Sequence, residues 1–261
     1  MPIFFVVSLL ASAAGAVCGV GGGVIIKPVL DLLHLETVSA ISFLSGCTVL
    51  VMSSYSVARS LAAREQSISL STGTPLAAGA AAGGLLGSRL FALARDLSGS
   101  PGRVGAVQAA CLAVVTAGTL LYTMNKSRIP THQVQNRAVC GAIGLALGGI
   151  SSFLGIGGGP INLVVLYFFF SMDTKTAAAN SLYIIFFSQL FNLLATLASH
   201  SAPDVRWQVL ALMAAGGVGG GMMGRALNRR MDSGAVERLF MALMAGIICV
   251  SVFNAWRYAG G

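Results

Sequence analysis

A five-residue glycine motif occurs twice in this chain, the second copy starting 136 residues after the first: Gly19-Val20-Gly21-Gly22-Gly23 and Gly155-Ile156-Gly157-Gly158-Gly159. Each copy lies in a stretch without charged residues, Met1 to Ile26 and Ala138 to Met172, and parts one apolar run from a shorter one. Glycine carries no Cβ and enters positive φ freely, so such a cluster breaks a helix. At bilayer depth, irregular backbone is tolerated only where protein or water covers it. Two broken helices at matching places in two halves point to a transport site.

Composition supplies the bilayer. The 261 residues are 56% hydrophobic and 9% charged, with a mean hydropathy of +0.83, outside the range of soluble domains. Thr37 to Ala58, Val104 to Asn125, Thr176 to Ser199, Trp207 to Gly224 and Leu239 to Trp256 are also uncharged. A helix needs roughly 20 apolar residues to cross the hydrocarbon core, and most of these runs suffice. The first run ends its apolar core in small residues, as a secretory signal does. It has no basic leader and continues into the first glycine motif, so it is expected to stay on the protein. The five cysteines fall one per apolar segment, without CxxC spacing, which suggests neither a disulfide framework nor a metal site. No soluble basic domain exists to bind nucleic acid, and no cofactor motif is present. The glycine motifs lack both the GxxxxGK[ST] and the GxGxxG spacing of nucleotide loops.

The duplication extends beyond the motifs. Gly83-Gly84-Leu85-Leu86-Gly87 aligns with Gly220-Gly221-Met222-Met223-Gly224 at nearly the same offset, each before an arginine-bearing loop and a last apolar segment. The chain therefore reads as an all-α polytopic membrane protein of two homologous halves, residues 1–125 and 138–261, joined by a linker at 126–137. Each half comprises an apolar run, a short run after the glycines, and three long helices. Val24 to His34 is 11 residues, about 16 Å of helix, too short to span alone.

Positive charge arbitrates orientation. An odd number of crossings per half puts ten Lys and Arg residues on one side and five on the other, Lys27 aside; an even number gives eight against seven. The positive-inside rule thus favours inverted-topology repeats with a cytoplasmic linker and both termini outside.

Successive glycines let amide groups converge on an anion, and the helix after each motif offers unpaired N–H groups and a positive dipole end. Pro160 suits the first turn of such a helix. Gly21, Gly22, Gly23, Gly157, Gly158 and Gly159 are accordingly candidate substrate contacts. The competing reading is close helix packing, and it is preferred for the runs Gly79 to Gly87 and Gly216 to Gly224. Lys27 lies near membrane depth with Asp31 one turn on; it either serves an anion or snorkels to an interface. Asn162, Asn180, Ser181 and Gln189 are candidate donors to an oxyanion, with Ser42, Ser45, Thr48 and Asn192 on the same helix faces. The three histidines lie at segment ends, and no catalytic constellation is present.

Two G-[IV]-G-G-G motifs, each followed by a short apolar run, resemble the sulfite exporter TauE/SafE family of membrane permeases, over essentially the whole chain. Ala177-Ala178-Ala179-Asn180-Ser181-Leu182 is similar to the family's A-x-x-T-S-L stretch, with asparagine for threonine; Asp204 to Trp207 and Gly220 to Leu227 also fit. The resemblance implies transport of small, mostly sulfur-containing anions, such as sulfite or sulfoacetate, across a prokaryotic plasma membrane. Three functions stay open: a secondary anion transporter, a passive anion channel, and a membrane scaffold without transport. Proton or ion coupling would fall to Asp31, and the glycine-rich faces would permit a homodimer.

Overall fold

The computed structural model describes residues 2–33, 35–62, 68–98, 101–156 and 158–260. Ten α-helices form the fold among them: α1 (Pro2–Cys18), α2 (Gly23–Leu33), α3 (Val38–Ala62), α4 (Leu70–Ser98), α5 (Pro101–Asn125), α6 (Arg137–Phe153), α7 (Pro160–Phe170), α8 (Thr174–Ala198), α9 (Trp207–Arg230) and α10 (Ser233–Gly260). A short 3₁₀ turn, Lys126–Arg128, follows α5. Six of the helices, α3, α4, α5, α8, α9 and α10, are long and apolar enough to cross a membrane. Large apolar side chains such as Leu90, Val114, Leu121, Leu194 and Phe253 are exposed along them, a surface that suits lipid. Trp207 at the start of α9 and Trp256 near the end of α10 are also exposed, as aromatic side chains at a membrane interface are. The chain is a multi-pass membrane protein.

Each glycine motif ends one helix and starts another. Gly19 and Gly21 have φ of 75° and 72°, and Gly155 and Gly158 have 66° and 140°, the left-handed region that other residues enter only at a cost. The carbonyls orphaned at the breaks are capped by amides from distant helices: Asn228 Nδ2 donates to Val17 O at 2.6 Å, and Gln108 Nε2 donates to Phe153 O at 2.7 Å. Residues 17 and 153 are themselves 136 apart, so the two caps sit at equivalent carbonyls.

Beyond the first break the chain folds back. A Cβ on Gly22 would lie 3.1 Å from Ser12 Cα. Ile26 and Leu30 then join Phe4 and Ala11 in one buried cluster. α1 and α2 are therefore a hairpin whose second arm returns toward the N-terminus. In the second half, the amides of His132 and Val134, just before α6, donate to Phe168 O and Phe169 O at the end of α7. That hairpin also returns to the side where it began.

Helix directions follow from residue contacts. Gly216, Gly220 and Gly224 of α9 pack in order on Ser8, Leu9 and Ala13 of α1, while Gly217, Gly221 and Arg225 pack in order on Thr48, Met52 and Ser56 of α3. These three helices are parallel. Likewise Gly79, Gly83 and Gly87 of α4 abut the carbonyls of Gly141, Leu145 and Gly149 in α6, and Gly73 and Gly84 abut Asn180 and Ser188 in α8. At these seams a Cβ would collide with the neighbouring helix, so small residues set the close approach. The two triplets oppose each other, because Gly46 of α3 meets Gln189 of α8 while Gly21 touches Val49 and Ile185 together. Pairing the helices by order within each half exchanges the main neighbour relations: α1–α9 with α6–α4, α3–α9 with α8–α4, and α2–α10 with α7–α5.

Candidate functional site

The site is built around the crossing of α3 and α8. A cavity of about 170 Å³ opens at the N-terminal end of α3, lined by Ser39, Ser42, Gly46, Ser88, Ser152, Gly155, Gln189, Asn192 and neighbours. A second, of about 270 Å³, opens at the other end, lined by Ser56, Ser60, Lys175, Ala178, Arg225, Asn228, Arg229 and neighbours. The first uses the starting half of α3, the finishing half of α8 and the end of α4. The second uses the finishing half of α3, the starting half of α8 and the end of α9. Exchanging equivalent helices converts one set into the other.

Between the cavities lies an apolar layer in which Val49, Met52, Leu182 and Ile185 are buried together. Both glycine loops press on it. A Cβ at Gly21 would lie 3.4 Å from Ile185 Cδ1, one at Gly158 would clash with Ile185, and one at Gly23 would strike the carbonyl oxygen of Ile156. The two motifs thus touch each other as well as the layer. Gly22 lies on the backbone of Ser12, and Gly159 would meet Ile156 Cδ1 at 2.9 Å. Gly157 lies outside the described residues.

The loops also reach across to the other half. Gly19 packs on Ala178 of α8, and Gly155 packs on Ser42 of α3. Beside this second contact is Lys27, whose Nζ donates to Ser42 Oγ at 3.1 Å and pairs with Asp31 Oδ2 at 3.4 Å. Both ionic side chains are buried. Lys27 therefore does not snorkel to an interface: its ammonium lies one hydroxyl away from the first cavity.

The other candidates divide. Gln189 lines the first cavity, and its Nε2 is buried without a partner among the described residues; the same holds for Asn192 Oδ1 and Ser152 Oγ on the same wall. Ser181 is fully buried with an unpartnered hydroxyl, as is Ser45, which stands 136 residues before it. Asn162 faces a much smaller cavity with Gly158, Ser151 and Ser188. Asn180 is a latch: its Oδ1 accepts from Ser69 N at 3.0 Å and its Nδ2 donates to Thr176 O, tying the start of α4 to α8. Thr48 donates to Leu44 O within its own helix. Ser152 carried no sequence signal beyond its place just before the second motif.

Electrostatically the cavities differ. The first is lined by hydroxyls and amides, the second by Lys175, Arg225 and Arg229. Arg225 Nη1 donates to Ser60 Oγ at 2.7 Å and to Ser56 O. Among the described residues no group of three or more His, Cys, Asp or Glu side chains comes together.

A family model described as sulfite exporter TauE/SafE matches residues 4–251. The chain is also 24% identical over 270 residues to the "Probable membrane transporter protein YunE" of Bacillus subtilis (strain 168), covering 97% of both chains. No solved structure matches the chain. By the extent of the family match, the chain belongs to the TauE/SafE family of membrane transporters.

Proposed function

We propose that this member of the TauE/SafE family is a secondary transporter of small anions, with sulfur-containing oxyanions and organosulfonates such as sulfite and sulfoacetate as the substrate class. One observation carries the reading: two cavities at opposite ends of α3 and α8, interchanged by the repeat and parted by the layer Val49–Met52–Leu182–Ile185. Alternating access requires such an arrangement, a thin barrier that each half can open toward one side. A channel would present one continuous path.

In this reading residues 1–125 and 138–261 are inverted-topology repeats. The opposite directions of α1, α3 and α9 against α6, α8 and α4 support it. The anion enters the first cavity, where Gly155 of the second glycine loop forms part of the wall, and is drawn toward the meeting of the two loops by the positive dipole ends at the starts of α2 and α7. Gln189 Nε2, Asn192 Oδ1 and Ser152 Oγ bring hydrogen-bonding atoms without partners among the described residues. Asn162 and Ser181 stand behind the loops as further donors. The cationic cavity faces the cytoplasm of a prokaryotic cell, because Arg59, Lys175, Arg225, Arg229 and Arg230 share its end of the bundle. Both termini are then outside.

Purified protein in proteoliposomes tests this directly. Uptake of sulfite, sulfate, thiosulfate, sulfoacetate and a carboxylate is measured against concentration. Saturable uptake of a sulfur anion is expected. Flux that rises linearly without saturating identifies a channel instead, and no anion flux from folded protein removes the proposal.

A further inference from the structure

Beside the Lys27–Asp31 pair lies a small polar compartment that anion binding alone does not use. It is lined by Lys27, Pro28 and Asp31 of α2, Gln108 of α5, and Ser251 and Asn254 of α10. Its volume is about 10 Å³, close to that of one water molecule. Gln108 and Ser251 are almost wholly buried, and Gln108 Oε1 and Ser251 Oγ have no hydrogen-bond partner among the described residues. Gln108 Nε2 is held by Phe153 O, and Asn254 Nδ2 by Pro28 O at 2.9 Å. The free acceptors therefore belong to a fixed frame.

We propose that Asp31 is the proton-binding site of the transporter, coupled to the anion site through Lys27; this rests on the transporter reading above. The coupling is charge compensation. With the site empty, Lys27 and Asp31 neutralise each other in a buried place where neither charge is stable alone. An anion in the first cavity, across Ser42 and Gly155 from the ammonium, competes with Asp31 for Lys27. A proton on the carboxylate then removes the negative charge that Lys27 no longer balances. Anion and proton enter together, and Lys27 keeps one counter-charge throughout. The proton offsets one negative charge of the anion: a monoanion leaves the total charge of the empty pair unchanged, and a dianion such as sulfoacetate leaves one excess negative charge in place of two. Gln108 Oε1 and Ser251 Oγ can accept from the new carboxyl O–H or from a water beside it.

The groups around the pair suit a proton. Lys27 is the cation on α2 itself. From α10, Tyr258 interacts electrostatically with Asp31, and Arg257 Nη1 donates to Leu32 O at the end of α2. α1 and α3 face the pair with uncharged residues. A metal cation in the compartment would share it with the Lys27 ammonium, so a sodium site is disfavoured.

Because binding of one ligand favours the other, the linkage is reciprocal. Binding of sulfoacetate, whose charge is constant near neutral pH, is measured by calorimetry on detergent-purified protein between pH 6 and 8. Affinity should rise as pH falls, by about tenfold across that range, an ordinary coupling strength. Asp31→Asn mimics the protonated carboxyl and should bind as tightly as wild type at low pH, with no pH dependence. Asp31→Glu should keep the dependence. Infrared difference spectra supply a readout independent of substrate: a protonated-carboxyl band should grow as pH falls, vanish in Asp31→Asn and move in Asp31→Glu. Asp31→Asn retaining the wild-type pH dependence, dependence on sodium instead of pH, or no Asp31 carboxyl band at any pH each overturns the proposal. Absence of sulfoacetate binding, with the band present and titrating, would count against the substrate class and leave the proton site standing.

Discussion

The hairpins α1–α2 and α6–α7 share a backbone and differ in chemistry. Both break at positive-φ glycines, both have the carbonyl at the break capped by a distant amide, and both press a loop on Ile185. Yet where the first carries Lys27 and Asp31, the second has Leu163 and Tyr167 at the same offset, and the loop contacts are Ser42 in one case and Ala178 in the other. Tyr167 does lie beneath a cation, Lys126, but that lysine belongs to the inter-half turn and pairs with Glu237. In the alternating-access reading proposed above, each cavity needs its own closing element, which accounts for the doubled backbone device, whereas one compensating pair can serve one shared site and a second would add desolvation cost.

The shared backbone should be intolerant in both halves. Gly83→Leu at the α4–α6 seam and Gly220→Leu at the α1–α9 seam should each abolish folded protein, read as loss of the monodisperse peak in size-exclusion chromatography. A bundle that tolerates one but not the other would break the equivalence. Next in size, Gly21→Ala, whose Cβ would meet only the side chains of Ile185 and Val49 at 3.4 and 3.5 Å, should lower uptake in proteoliposomes sharply while leaving folded protein despite the strained φ; normal flux would remove that loop from the site.

The unequal chemistry gives the third test. Leu163→Lys places an unpaired charge in the buried position of the second half and should destabilise by about 3–5 kcal/mol, seen as a lower midpoint in detergent melts. Adding Tyr167→Asp to recreate the pair should recover part of the loss. No destabilisation would mean that the second half can hydrate a charge there, and the contrast between the hairpins would weaken. The smallest effect is expected in the second cavity. Arg229→Gln should raise KM for anions entering from that end several-fold, more at low salt than at high, because the loss is of long-range attraction. The same change should leave kcat near its original value.

How much of the site was legible depended on whether its cause was local. The helix breaks were visible because a left-handed turn inside an apolar run has few sequence solutions, all rich in glycine. The seams at Gly79 to Gly87 and Gly216 to Gly224 read as packing, and packing is where they are found. The Lys27–Asp31 pair was visible from i,i+4 spacing. The polar faces of α3 and α8 were visible as faces, but their members were not separable. Gln189 reaches a cavity, whereas Asn180 ties down the start of α4 and Thr48 bonds to its own helix. Asn and Gln on one helix face look alike until the neighbouring helix decides which amide meets a backbone N–H and which meets space. Gln108 and Asn228 gave no sign of capping, since their partners lie 45 and 211 residues away.

By itself the sequence determined that this protein lives in a membrane, that one glycine motif recurs at an offset of 136 residues, and that two helices break within it. Charge segregation, a repeated offset and glycine φ are properties of short stretches, governed by hydration and local sterics. Only the tertiary structure decided that the two breaks touch, that a cavity opens at each end of α3 and α8, and that Lys27 of one half stands beside Gly155 of the other. Those relations join segments more than a hundred residues apart, and their geometry is set by how closely small residues let helices approach.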